Sequence, residues 1–89
     1  MYTNKAMDGR RNICGKQITR LRTSMNLSQR ELADQLQVAG LDIGKNVVQR
    51  IESGARYVPD FELIFFSRVL DVEISQLLLP DNTDNDAAN

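Results

Sequence analysis

Histidine is missing from these 89 residues and cysteine occurs once, at Cys14. A zinc site or a Cys–His nucleophile pair needs side chains that the chain does not have. No glycine-rich phosphate loop appears and the carboxylates are scattered, so no enzyme, metal or cofactor is expected, and no small-molecule pocket is legible. A lone cysteine in such a chain is expected to serve as a small apolar residue in a reduced, cytoplasmic protein. No apolar run approaches the roughly 20 residues of a membrane helix. The start of the chain lacks the apolar stretch of a secretory signal, so neither a membrane nor secretion is expected. Strand patterning is missing as well: apolar residues recur at three and four rather than at two, which predicts an all-α domain.

A chain of this size makes one domain, and its small core must be well patterned. The formal net charge of −1 hides a strong asymmetry. Residues 1–23 carry Lys5, Arg10, Arg11, Lys16, Arg20 and Arg22 against Asp8, for +5; residues 24–56 sum to zero; and Asp60, Glu62, Asp71, Glu73, Asp81, Asp84 and Asp86 against Arg68 leave −6 in the remainder. Such runs are ordinarily solvated faces, but a chain polarised this way can also turn one basic surface toward phosphates. Residues 1–11 read as a mobile basic arm, 12–80 as the folded domain and 81–89 as a disordered acidic tail. For Arg10 and Arg11 a disordered tail and a phosphate-contacting arm are equally compatible with the sequence.

Five helices are predicted. The first, over residues 13–25, has Cys14, Ile18, Leu21 and Met25 on one stripe, Asn12 as its N-cap, and Gly15 where another backbone can approach closely. In the second, Ser28 and Glu31 form an S-x-x-E capping box, with Leu27 and Leu32 placed as a hydrophobic staple. Leu32, Ala33 and Leu36 face the core, and the helix ends near residues 37–38 with Gly40 as a left-handed exit. The third helix, 45–53, lies between Gly44 and Gly54 and is too short to persist without tertiary support. Its Val48 and Ile51, with Ile43 before them, point inward. Lys45, Asn46, Gln49, Arg50 and Ser53 point outward, as a solvated face or as a set able to hydrogen-bond base edges. A fourth helix, 60–70, has Asp60 as cap and Leu63, Phe66, Ser67 and Leu70 as its core stripe. A fifth, 74–79, is stopped by Pro80. Phe61 and Phe65 lie off the stripe one turn apart, either packed on neighbouring helices or forming a self-association surface.

With those residues in view the chain resembles the phage repressor and Cro family of helix-turn-helix proteins, the five-helix lambda-repressor-like fold. The resemblance covers residues 15–78 and rests on Ile18, Leu21-Arg22, Leu27-Ser28-Gln29, Leu32-Ala33, Leu36, Val48, Ile51-Glu52-Ser53-Gly54 and Leu63 through Val72 ahead of Leu77. It departs from common members in its lengthened turn, Gln37-Val38-Ala39-Gly40-Leu41-Asp42, between Leu36 and Ile43. Some small bacterial regulators have a similar Leu-Gln-x-Ala-Gly-x-Asp-Ile stretch.

The resemblance implies a sequence-specific DNA-binding transcriptional regulator, a repressor by default, whose third helix enters the major groove while the second crosses the backbone. Lys45, Asn46, Gln49 and Arg50 become the base-reading positions, and Val47 a contact for a thymine methyl. Gln29, Arg22, Arg56 and Tyr57 become phosphate positions. Arg22 and Glu52 are implied to form a structural ion pair between the first and third helices. The implied partner is double-stranded DNA, bound by a homodimer on an inverted repeat with half-sites about 34 Å apart. Phe61 and Phe65 are candidates for the dimer surface. The alternative is a protein-interaction module of the same fold, an antitoxin or regulator-binding partner that uses its acidic C-terminal half.

Overall fold

In the computed structural model, which describes residues 9–79, the chain forms α1 (Gly15–Ser24), α2 (Gln29–Ala39), α3 (Lys45–Glu52), α4 (Asp60–Leu70) and α5 (Ile74–Leu77), with no strand among the described residues. One apolar cluster holds them together. It takes Cys14 and Ile18 from the start of the chain, Leu32, Ala33 and Leu36 from α2, Val48 and Ile51 from α3, Leu63, Phe66 and Leu70 from α4 and Leu77 from α5. Phe66, Ile18, Leu32, Leu36, Ile51, Leu77 and Val48 are fully buried. At about 1.5–3 kcal/mol for each large apolar side chain taken out of water, this cluster is the main favourable term for folding. It also supplies what α3 lacks, since eight residues do not hold a helix in isolation.

Each of the four longer helices ends in the same way. A residue in the left-handed region, Asn26, Gly40, Gly54 or Asp71, reverses the chain. Its N–H donates to a carbonyl three residues back, and the next N–H reaches five back: Leu27 to Arg22, Leu41 to Leu36, Ala55 to Arg50 and Val72 to Ser67, at 2.8–3.1 Å. This is the Schellman arrangement, which satisfies carbonyls that the helix leaves open and folds the following side chain back. Glycine fills the position at Gly40 and Gly54, as the sequence led us to expect. Asn26 and Asp71 do the same job with a Cβ, at φ +59° and +56°.

The long turn between α2 and α3 is ordered by its own residues. Half of the added length extends α2 as far as Ala39, beyond the predicted end at 37–38. After Gly40 the chain buries Leu41 and Ile43 in the core. The Gln37 side chain donates to the Ile43 carbonyl at 2.9 Å, and Ile43 N–H donates to the Leu41 carbonyl at 2.9 Å. Two buried apolar anchors and a side-chain strut thereby fix where α3 begins.

Several boundaries differ from expectation. α1 starts at Gly15 with Cys14 at the cap position, because Asn12 reaches over from two residues further back and accepts the Gly15 N–H at 2.8 Å. Met25 falls beyond the helix and is exposed, so the α1 stripe ends at Leu21. In α4 the cap is Pro59; Asp60 lies inside the first turn, where its charge still favours the N-terminal end of the helix dipole. α5 ends at Leu77, shorter than predicted. The stop at Pro80, the tail at 81–89 and residues 1–8 of the arm expected over 1–11 lie outside the described residues.

Two stability predictions follow from these placements. Asp71→Gly is expected to raise unfolding free energy by about 0.5–1 kcal/mol in chemical denaturation, because it relieves a left-handed β-carbon at an exposed position. The buried Cys14 thiol has its pKa raised by desolvation to about 11 from 9.0, partly offset by a backbone hydrogen bond and the charge of Arg10. An unfolded thiol loses its proton first, so the stabilisation is complete below pH 9 and fades as pH rises toward 11. Denaturation across that window should show a loss on the order of 2 kcal/mol that Cys14→Ala does not show.

Candidate nucleic-acid interface

α3 has one buried side and one open side. Val48, Ile51 and Glu52 are buried, whereas Lys45, Asn46, Gln49 and Arg50 are all exposed. The open residues lie at i, i+1, i+4 and i+5, which places them along a single face. At 1.5 Å per residue the helix is about 12 Å long, comparable with the width of a DNA major groove. Val47 is half-buried and packs against the core cluster, so only part of its surface is presented on that face.

The orientation of this helix is set by a buried carboxylate. Glu52, the last residue of α3, receives Arg22 Nε at 2.7 Å on Oε2 and Arg22 Nη2 at 3.1 Å on Oε1. The third guanidinium nitrogen, Nη1, donates to the Leu27 carbonyl at 2.7 Å, just before the Ser28 cap of α2. Gln29 Nε2 completes the group by donating to Glu52 Oε1 at 3.0 Å. One carboxylate therefore joins α1, the start of α2 and the end of α3, with the ion-paired side chains only 13% and 6% exposed.

Around α2 the capping box is complete: Ser28 Oγ accepts the Glu31 N–H at 3.0 Å and Glu31 Oε1 accepts the Ser28 N–H at 2.8 Å. This holds Gln29, in the first turn, at a fixed position beside the end of α3.

The residues assigned to phosphates by resemblance have different surroundings. Gln29 is half-buried on Glu52. Tyr57 is 46% exposed, its hydroxyl accepting from Arg11 at 3.0 Å with the Arg11 guanidinium 5.5 Å from the ring centroid. Arg22 and Arg56 are directed into the protein instead. Arg22 is committed to Glu52 and Leu27, and Arg56 makes a two-pronged pair with Glu62 at 2.7 and 3.0 Å. Hydrogen bonding to Glu62 raises the guanidinium pKa of Arg56 further, against its partial desolvation. Glu62, 4% exposed, was not singled out in the sequence; the turn at Pro59 brings it back onto Arg56. Phe61 is 55% exposed with Ile64 at 40%, three residues on; Phe65 is half-buried against the core, its ring facing Gly40.

The sequence profile of one family, described as helix-turn-helix, matches residues 18–77, which spans the five helices apart from the first three residues of α1. The chain belongs to the helix-turn-helix family. It is of the phage repressor and Cro type, a variant with a lengthened turn. Among solved structures of helix-turn-helix proteins it is similar to the restriction-modification controller protein C.AhdI from Aeromonas hydrophila. That similarity has 33% identity over 72% of this chain and 86% of the other, with a TM-score of 0.62. It is also similar to SinR, the master regulator for biofilm formation, solved in complex with DNA, with 28% identity over 74% and 98% of the two chains and a TM-score of 0.64. The hypothetical transcription factor NHTF from Neisseria gives 25% identity over 86% and 81%, with a TM-score of 0.68. A comparison with curated proteins gave no match. No helix among the described residues is long and apolar enough to cross a membrane.

The helix-turn-helix core generates a test at its central ion pair. Arg22→Met or Glu52→Leu alone should each cost about 3 kcal/mol, because each strands a buried charge, while the double variant should cost less than the sum. Additive losses in a double-mutant cycle read by urea denaturation would overturn the coupling.

Proposed function

We propose that the protein is a sequence-specific DNA-binding transcription regulator, acting as a repressor by occupying its site, with α3 docked in the major groove. The observation that carries this reading is the open face of α3. Lys45, Asn46, Gln49 and Arg50 are four long or amide side chains, all exposed, on a helix whose opposite side is buried to the last residue. Each can donate to or accept from a base edge. Arg50 matches the paired acceptors of guanine, Asn46 and Gln49 match adenine, and Val47 offers an apolar edge to thymine.

Gln29, beside the end of α3, and Tyr57, in the loop that follows it, serve as phosphate contacts, with Arg11 beside Tyr57 contributing charge. Arg22 and Arg56 act through the protein, by holding Gln29 and the loop that follows α3. The SinR structure in complex with DNA supports the reading, as does the description of NHTF as a transcription factor. A single module of this size gives limited affinity, so the functional unit is a homodimer on an inverted repeat, with half-sites about 34 Å apart. The exposed Phe61 and Ile64 on α4 are its proposed contact, with Phe65 supporting them from the core side.

Selection of bound duplexes from a random pool tests the whole reading, and a palindromic consensus is the expected result. On that consensus, Arg50→Ala should cost about 1–3 kcal/mol and relax the base preference at one position in each half-site. Gln29→Ala should weaken consensus and random duplexes alike. Equal effects of both substitutions on the two kinds of duplex would overturn the assignment of roles.

A further inference from the structure

The segment before α1 does more than lead into it. The last carbonyls of α3 lack intrahelical partners by geometry, and each is accounted for. Gln49 O accepts Ser53 N–H, Arg50 O accepts Ala55 N–H, and Ile51 O accepts Gly54 N–H. Beyond these, the segment at residues 10–12 supplies its own donors. Arg10 Nη2 donates to Glu52 O at 2.7 Å, Arg11 N–H donates to Gly54 O at 2.8 Å, and Asn12 Nδ2 donates to Ile51 O at 2.9 Å and to Arg56 O at 2.8 Å. Space for this crossing comes from two glycines. A β-carbon at Gly54 would sit 2.8 Å from Arg10 Cζ, and one at Gly15 would run into the Ile51 carbonyl. The Arg10 charge also lies where the helix dipole of α3 is negative.

We propose that Arg10, Arg11 and Asn12 form a positioning clamp that fixes the C-terminal turn of α3, and with it the loop bearing Arg56 and Tyr57, for duplex recognition. The inference rests on the DNA-binding reading for its functional half, while the clamp itself is a property of the free protein. Arg10 and Asn12 are positioning residues: Arg10 Nη2 and Asn12 Nδ2 are spent on backbone carbonyls of α3 and the loop after it, so they govern how well Gln49, Arg50 and Tyr57 meet a duplex without contacting it themselves.

Asn12→Asp separates the clamp from ordinary capping. An aspartate keeps the oxygen that accepts the Gly15 N–H and loses both donations to the Ile51 and Arg56 carbonyls. Arg10→Met keeps an apolar stem and removes the donor to Glu52 O. Amide hydrogen exchange of each variant should show Ser53, Gly54 and Ala55 exchanging roughly tenfold faster, with the amides of α2 and α4 unchanged. Binding to a duplex selected by the wild type from a random pool should weaken about fivefold to tenfold, with the salt dependence of binding unchanged.

Unchanged exchange at residues 53–55, or acceleration spread evenly over all helices, would overturn the clamp. A fall of about one in the salt slope for Arg10→Met would also overturn it, by making Arg10 a phosphate contact. Should the wild type bind no duplex from the pool, the DNA reading fails, and the exchange experiment on the free protein still decides the clamp.

Discussion

The arrangement of this domain depends on one carboxylate. Glu52 ends α3, and its two oxygens take up Arg22 from α1 and Gln29 from α2 while its backbone carbonyl takes up Arg10. A buried ion pair is a poor source of net stability, because desolvation offsets most of the attraction. Its value here is geometric: three helices meet at defined angles because the charge tolerates no other set of partners. The apolar cluster alone would accept some rotation of α3 about its axis, and such a rotation would carry Arg50 and Gln49 off the open face.

Around that node the last two carbonyls of α3 accept from side chains outside the helix. The end of the helix is held by the segment at residues 10–12 and its start by the buried anchors Leu41 and Ile43. An eight-residue helix with an apolar side and a polar side is thereby made rigid at both termini, the condition under which a few exposed side chains can read a surface with precision. A longer connection between α2 and α3 does not loosen it, since half of the extra length is helix and the remainder is tied down by Gln37.

Much of this was legible in the chain. The capping box at Ser28 and Glu31 depends on a fixed spacing and local hydrogen bonds, so α2 was placed from sequence with its start correct. The outward set on α3 followed from the positions of Val48 and Ile51, and the exits at Gly40 and Gly54 from the absence of a β-carbon. Asn26 and Asp71 were missed as helix stops because both residue types are common elsewhere, and only the backbone shows them to be left-handed. The Arg22–Glu52 pair implied by the resemblance is present, whereas the pairing of Arg56 with Glu62 was not read, because an arginine carries the same charge whether its partner is solvent, phosphate or a carboxylate from another helix. Glu62 lies close enough in sequence to find Arg56, but the turn at Pro59 decides that it does so.

Local pattern in the chain fixes the elements: which stretches are helical, where most of them start and stop, which side of each is apolar, and the family to which the pattern belongs. These follow from periodicity and from local backbone chemistry, both of which act within a few residues. Which of the remaining charges stay available is settled only when the helices pack. Arg10 and Arg56 were absorbed by groups that lie 42 and 6 residues away, partners that no local pattern announces. The physical reason is that a charged side chain's role is fixed by what is within about 3 Å of its tip, and in a folded chain that neighbour is seldom its neighbour in sequence.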